Sequence, residues 1–150
     1  MRVTLLAVGR LRRGPERSLV DDYLDRWAKL GRGLGLPPVA VIEVEGRPSE
    51  HEALERARPA GAALVALDER GIQLSSPDFA GRLRAWRDGA RDVCLVIGGA
   101  DGLDDAMRDR ADLVLSFGPM VWPHMLARAM LAEQLFRAAS ILSGSPYHRA

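Results

Sequence analysis

Tyr147, His148 and Arg149 stand side by side in the closing segment SGSPYHRA, directly behind Pro146. Together they offer a phenol, an imidazole and a guanidinium. Histidine titrates near neutrality and moves protons. A guanidinium grips phosphate through two parallel hydrogen bonds, and a tyrosine ring stacks on a base or donates a hydrogen bond to it. Chain ends usually fray. A proline-fixed trio at this place is therefore either idle or a small toolkit for a phosphorylated, base-bearing substrate. Residue types alone leave both readings open.

Three further segments invite a ligand: LDERG (67–71), IGGADG (97–102) and SFGPMVWPH (116–124). Glycines let a ligand approach the backbone or simply permit tight turns. The third segment sets Phe117, Met120, Val121 and Trp122 around Pro119, with Pro123 behind them. An apolar loop must cover itself with core, ligand or another chain. Neither a GxGxxG fingerprint nor a GxxxxGK[ST] phosphate loop occurs, so dinucleotide and P-loop readings lose their support. His124 falls in the first turn of a helix pattern, where the dipole disfavours an imidazolium, and reads as structural. His51 lies in a polar helix pattern and reads as solvated. Cys94, in DVCLVIGG, reads as a core thiol. Three histidines and one cysteine at these spacings form no ligand set, so no metal is expected.

Alternating elements must position these segments. Strand-like runs occur at 2–8, 38–45, 62–68, 92–99 and 112–117, mostly continuous in Val, Leu and Ile, as in strands covered on both faces. Helix patterns fall between them. The segment 15–31 places Leu19, Tyr23, Trp27 and Leu30 on one stripe. Ser49 and Glu52 have capping-box spacing. Ser76 is the expected cap of the next helix, with Pro77 in its first turn and Gly89 as its stop. A short charged helix covers LDDAMRDRA, and a long one begins at Pro123 and ends at Gly144. Strand alternating with helix predicts one α/β domain over residues 1–150 with a mostly parallel sheet flanked by helices. Ligands in such sheets sit beyond the carboxyl ends of the strands, which singles out the loops after residues 67, 97 and 116. The last helix is apolar on most sides, which predicts a second subunit as cover and hence a homodimer.

Composition sets the limits. The chain has 150 residues, a net charge of +1 and 27% charged residues, so no global basic footprint marks it as a binder of naked nucleic acid. No apolar run approaches the roughly 20 residues that span a bilayer. The start MRVTLLAVGRLRRG reads as a first strand rather than a leader, so no membrane partner and a cytoplasmic location are expected.

Taken together, AVGR, LDERG, IGGADG, LSFGPMVWPHMLARAMLAEQLFRA and the terminal PYHR resemble the ribosomal RNA large subunit methyltransferase H family of the SPOUT superfamily, over essentially the whole chain. That resemblance implies a C-terminal deep trefoil knot, which periodicity cannot reveal, and S-adenosyl-L-methionine as cofactor. Its contacts would be Leu67, Gly98, Phe117, Gly118, Pro119, Met120, Val121 and Trp122. The implied reaction is methylation of N3 of a pseudouridine in the helix 69 loop of 23S ribosomal RNA, on the assembled 70S ribosome. The implied catalytic set is His148 for proton handling, with Tyr147 and Arg149 holding the nucleotide, and the tail can reach the partner subunit's pocket. Two rivals stay in view: a SPOUT methyltransferase acting on transfer RNA, and a non-catalytic ribosome-associated module that binds the same cofactor.

Overall fold

The computed structural model describes residues 1–149. Among the described residues five strands alternate with five helices: β1 (Val3–Val8), α1 (Pro15–Gly31), β2 (Ala40–Val44), α2 (Glu50–Ala57), β3 (Ala63–Ile72), α3 (Ser76–Asp88), β4 (Val93–Ile97), α4 (Asp105–Arg110), β5 (Leu113–Leu115) and α5 (His124–Ser143). All strand pairs are parallel, in the order β2-β1-β4-β3-β5. This is the expected α/β architecture with helices on both faces.

Side-chain alternation divides the strands between two cores. Val3, Leu5 and Ala7 point to one face, where Trp27 of α1, Phe79 and Leu83 of α3, and Leu131 and Leu135 of α5 cover them. Leu6 and Val8 point to the other, under Leu54 of α2 and Met107 of α4. Cys94 lies in this second core, fully buried as expected, and burial pushes its thiol up to about 11. Trp27 is also fully buried, and its indole N–H donates to the Pro37 carbonyl at 3.0 Å, so no polar atom is stranded.

Several local expectations are corrected. The cap of α3 is Ser75, whose hydroxyl accepts from the Asp78 amide. Ser76 is already helical, and its hydroxyl donates to Gln134 of α5 at 2.8 Å. With two adjacent serines, the neighbouring helix decides which one caps. The stripe of α1 is rotated: Val20, Trp27 and Gly31 are buried, whereas Leu19 is 42% exposed. The strand β2 lies at the sheet edge and is partly exposed rather than covered on both faces.

The segment LDERG belongs to β3 instead of forming a free loop. Leu67 and Ile72 both pair with Leu115 across an irregularity in the ladder. Gly71 makes this possible, because a Cβ there would lie 2.4 Å from the Val114 carbonyl oxygen. The long helix α5 is flanked by α1 and α3 of its own chain, and most of its apolar positions are buried there. What its own chain leaves uncovered is narrower than the sequence pattern implies. It is a groove of about 290 Å³ lined by Leu19, Tyr23, Phe117, Leu126, Ala129, Met130, Glu133 and Gln134.

Candidate active site

The loops after β4 and β5 meet the distal part of β3 at the carboxyl ends of the strands. There they enclose a cleft of about 340 Å³. Its wall includes Leu67, Gly98, Phe117, Gly118, Met120, Val121 and Trp122, seven of the eight positions singled out for a cofactor. Pro119 shapes the same loop without forming part of the wall. Met120 is 73% exposed, Val121 83% and Trp122 41%. These side chains rim the cleft and are not packed beneath α5. His124 also lines it, so the reading of this histidine as purely structural gives way to a place at the cleft.

Local hydrogen bonds fix both loops. The Gly102 amide donates to the Gly99 carbonyl at 3.0 Å, closing the glycine turn. Ser116, 4% exposed, accepts from the Gly118 amide at 3.0 Å and lies 3.2 Å from the Gly118 carbonyl, which folds the apolar loop back on itself. The carboxylate of Glu50 in α2 packs against Gly99, where a Cβ would stand. Beside it, His51 Nδ1 lies 2.8 Å from Asp104, and Asp104 caps α4 through the Met107 amide. His51 thus lies against a carboxylate with its side chain still 35% exposed.

Asp68 also lines the cleft, and nothing in its sequence context marked it out. Its side chain is 3% exposed. It accepts from the Arg70 amide at 2.9 Å, Arg70 Nε at 3.0 Å, Arg70 Nη2 at 3.2 Å and Arg108 Nη1 at 3.5 Å. Burial pushes the carboxyl upward, but the hydrogen bonds from Arg70 and the charges of Arg70 and Arg108 outweigh it and hold the group below its ordinary range. Asp68 is thus a buried carboxylate that stays ionised at the cleft and ties β3 to α4.

A second ion pair, buried at its arginine and part-exposed at its glutamate, fixes α5 to the sheet. Arg128, 1% exposed, donates to Glu43 of β2 at 2.5 Å and to the Gly9 carbonyl at 3.0 Å. Glu43 also accepts the Leu11 amide at 2.6 Å.

The tail lies elsewhere in this chain. Tyr147 donates to Glu133 Oε1 at 3.0 Å and sets its ring edge-on to Phe136 at 4.6 Å, with the Arg137 guanidinium 4.8 Å from its centre. Burial and the hydrogen bonds with Tyr23 and Glu133 raise the Tyr147 phenol above its usual value, so it serves as a donor and not as a base. His148 Nδ1 lies 3.2 Å from Arg137 Nη1. Arg137 can only donate, so Nδ1 accepts and the proton of a neutral ring sits on Nε2. Arg149 is exposed. Glu133 follows His124 by nine residues of helix, about 14 Å at 1.5 Å per residue. The fold therefore gathers the cofactor-type positions in one cleft and does not bring Tyr147, His148 and Arg149 into that cleft within the same chain.

A protein-family model described as "Predicted SPOUT methyltransferase" matches residues 1–148. Two solved structures share the fold at a TM-score of 0.53. One is a probable methylase family protein from Haemophilus influenzae, 11% identical, with 99% of this chain and 70% of that one covered. The other is a probable methyltransferase from Bordetella pertussis, 16% identical, with 92% and 94% covered. The class is thus a SPOUT methyltransferase. Among similar sequences, the ribosomal RNA large subunit methyltransferase H of Paracoccus denitrificans is 64% identical over 154 residues, and that of Ruegeria pomeroyi 63% over 155, each covering 99% of both chains. The chain belongs to the ribosomal RNA large subunit methyltransferase H family.

Proposed function

We propose that this chain methylates N3 of a pseudouridine in the helix 69 loop of 23S ribosomal RNA, on the assembled 70S ribosome, and works as a cytoplasmic homodimer. The observation that carries the reading is the three-part cleft at the carboxyl ends of the strands. The cofactor is S-adenosyl-L-methionine, which supplies an electrophilic methyl on a sulfonium when bound.

The residues present fit that group. Leu67, Phe117, Met120, Val121 and Trp122 give apolar cover to a flat heterocycle, while Gly98, with no side chain, lets a ligand approach its backbone. Ionised Asp68, paired with Arg70 and Arg108, fixes the β3 wall of the cleft.

For transfer to N3, the sulfur–methyl bond of the bound cofactor would break as the N3–methyl bond forms, leaving a neutral thioether, and the N3 proton would pass to a positioned base, which contributes about 10²–10⁴-fold. We assign that proton to His148. Its Nδ1 faces Arg137 in the docked tail, so the imidazole must leave Arg137 before it accepts a proton there. Tyr147 and Arg149 would hold the nucleotide through a phenolic donor and a phosphate-gripping fork.

A homodimer is supported by the groove along α5, whose rim includes Glu133, the anchor of Tyr147. A second copy seated there would meet this chain's tail, which favours the tail serving the partner's cleft. The knot of the family is supported by the course of the chain after β5. Residues 116–123 lead from that edge strand to α5, which lies on the sheet between α1 and α3 with Arg128 bonded at the end of β1.

The test is to incubate ribosomes lacking the modification with enzyme and cofactor and to analyse their digested 23S RNA by mass spectrometry. N3-methylpseudouridine in the helix 69 fragment is expected. Full cofactor binding with no methyl gained in any fragment would overturn the proposal in favour of a non-catalytic module.

A further inference from the structure

We propose that the loop joining β1 to α1 is a phosphate-docking surface for the RNA substrate, with Arg10, Arg12 and Arg13 as its contacts. The proposal rests on the reading of the chain as an enzyme of ribosomal RNA. It names a surface outside both the cofactor cleft and the tail.

These three arginines fall within four residues and are exposed, while Leu11 between them is buried. Among the described residues none of the three is within 4.0 Å of a carboxylate, although ten of the chain's other arginines make such pairs. Arg47, in the loop after the neighbouring strand β2, is likewise exposed and without such a pair. Residues 9–16 and 45–49, the two loops and the first turn of α1, hold four arginines against two carboxylates, Glu16 and Glu45, in a chain whose total charge is only +1.

The loop is also held in place. Buried Leu11 anchors its middle, the Leu11 amide donates to Glu43, and the Gly9 carbonyl accepts from Arg128. A Cβ at Gly9 would lie 3.3 Å from Met125 Cε, which puts the loop against the first turn of α5, one residue from His124 in the cleft wall. Exposed cations on a fixed backbone, free of internal partners and beside the reacting site, suit phosphodiester contacts that set register rather than sequence. Among the described residues seven further arginines lack such a carboxylate pair, so what sets this loop apart is density, three exposed guanidiniums within four residues on a fixed backbone.

Co-sedimentation with 70S ribosomes at several salt concentrations, alongside methyl-transfer kinetics, tests this. Each phosphate contact adds about 0.7–0.9 to the slope of log affinity against log salt. The triple variant R10A/R12A/R13A should therefore lose roughly 2–3 from that slope and bind at least tenfold more weakly near 0.1 M salt, with cofactor affinity by calorimetry unchanged. The variant R2A/R32A, which removes exposed charge at the opposite end of the sheet, should change the slope by less than about 1. A triple variant with the parental slope and affinity would overturn the docking surface and leave the enzymatic reading standing. A fall in cofactor affinity to match would also overturn it, because the loop would then be serving the cleft. Parental binding to ribosomes without methyl transfer would sink the proposed reaction while the slope comparison still decides the surface.

Discussion

Gly98 and Gly99 are neighbours in the chain, yet alanine should have opposite consequences at the two positions. A Cβ on Gly98 would stand 2.7 Å from both the carbonyl carbon and oxygen of Gly102 and 3.1 Å from Leu103 Cδ2. Carbon atoms normally rest about 3.5–4.0 Å apart, so the backbone of the glycine turn must move by roughly 0.8 Å or more. No flexible side chain can absorb that shift. Overpacking of this kind costs about 1–3 kcal/mol. If the strain is released by opening the turn, the same energy is lost from cofactor binding, roughly 5- to 150-fold in Kd. On Gly99 the clash is nominally worse, 2.2 Å, but the obstacle is Oε1 of Glu50 at the end of a rotatable side chain. Rotation of that carboxylate relieves it, so Gly99→Ala should cost less than about 1 kcal/mol. Calorimetric titration of both variants with S-adenosyl-L-methionine, paired with urea unfolding, makes the comparison. Equal losses for the two, or a tolerant Gly98→Ala, would refute the reasoning that backbone proximity at 98–102 builds the cleft.

Three other variants probe the surroundings. Replacing Arg128 with Met strands Glu43, whose side chain is 30% exposed and so partly solvated. The expected destabilisation in urea is about 2–4 kcal/mol, somewhat below that of a fully buried pair, and R128M/E43Q should recover more than half of it. A loss under about 1 kcal/mol would contradict the role given to this pair. Asp68→Asn should cost about 1–3 kcal/mol at pH 7. Because the folded-state pKa is depressed, Asp68 stabilises the protein above the ordinary carboxylate value near 3.9 and loses this effect as pH falls through the folded value. The gap between parent and variant in acid unfolding should therefore close below about pH 4. Tyr147 ionises later than an ordinary phenol, so ultraviolet titration of the two tyrosines should show a late phase of one phenolate, well above pH ~10, that disappears in Tyr147→Phe while Tyr23 still contributes its own signal. Docking of Tyr147 stabilises below that pH and is lost as pH rises through the folded value.

The fold was largely legible because each local signal agreed with the global one. Pro15 and the residues up to Gly31 delimit α1 from sequence, and Ser49 caps α2 through the Glu52 amide as its spacing implies. Where two local solutions were equally good, only packing could decide. Ser75 caps α3 because Ser76 is taken by Gln134, and LDERG stays in the sheet because Gly71 lets the Val114 backbone come close. The cleft was legible as three segments, since glycine and exposed apolar residues at strand ends are local signs. Asp68 was not: its bonds to Arg70 are local, but its burial at the cleft and its tie to Arg108, 40 residues away in sequence, are set only by the fold. Nor did the sequence place the tail, whose anchors Glu133 and Arg137 read only as an ordinary i, i+4 pair on a helix.

The central claim is methyl transfer to ribosomal RNA within the ribosome, and labelled methyl from S-adenosyl-L-methionine tests it most directly. Three substrates would be offered in parallel: 70S ribosomes lacking the modification, free 23S RNA and transfer RNA. Incorporation into the ribosomes alone, reduced by Gly98→Ala at sub-saturating cofactor and strongly reduced by His148→Ala, is the expected result. Label on transfer RNA, or on none of the three despite measured cofactor binding, would contradict it.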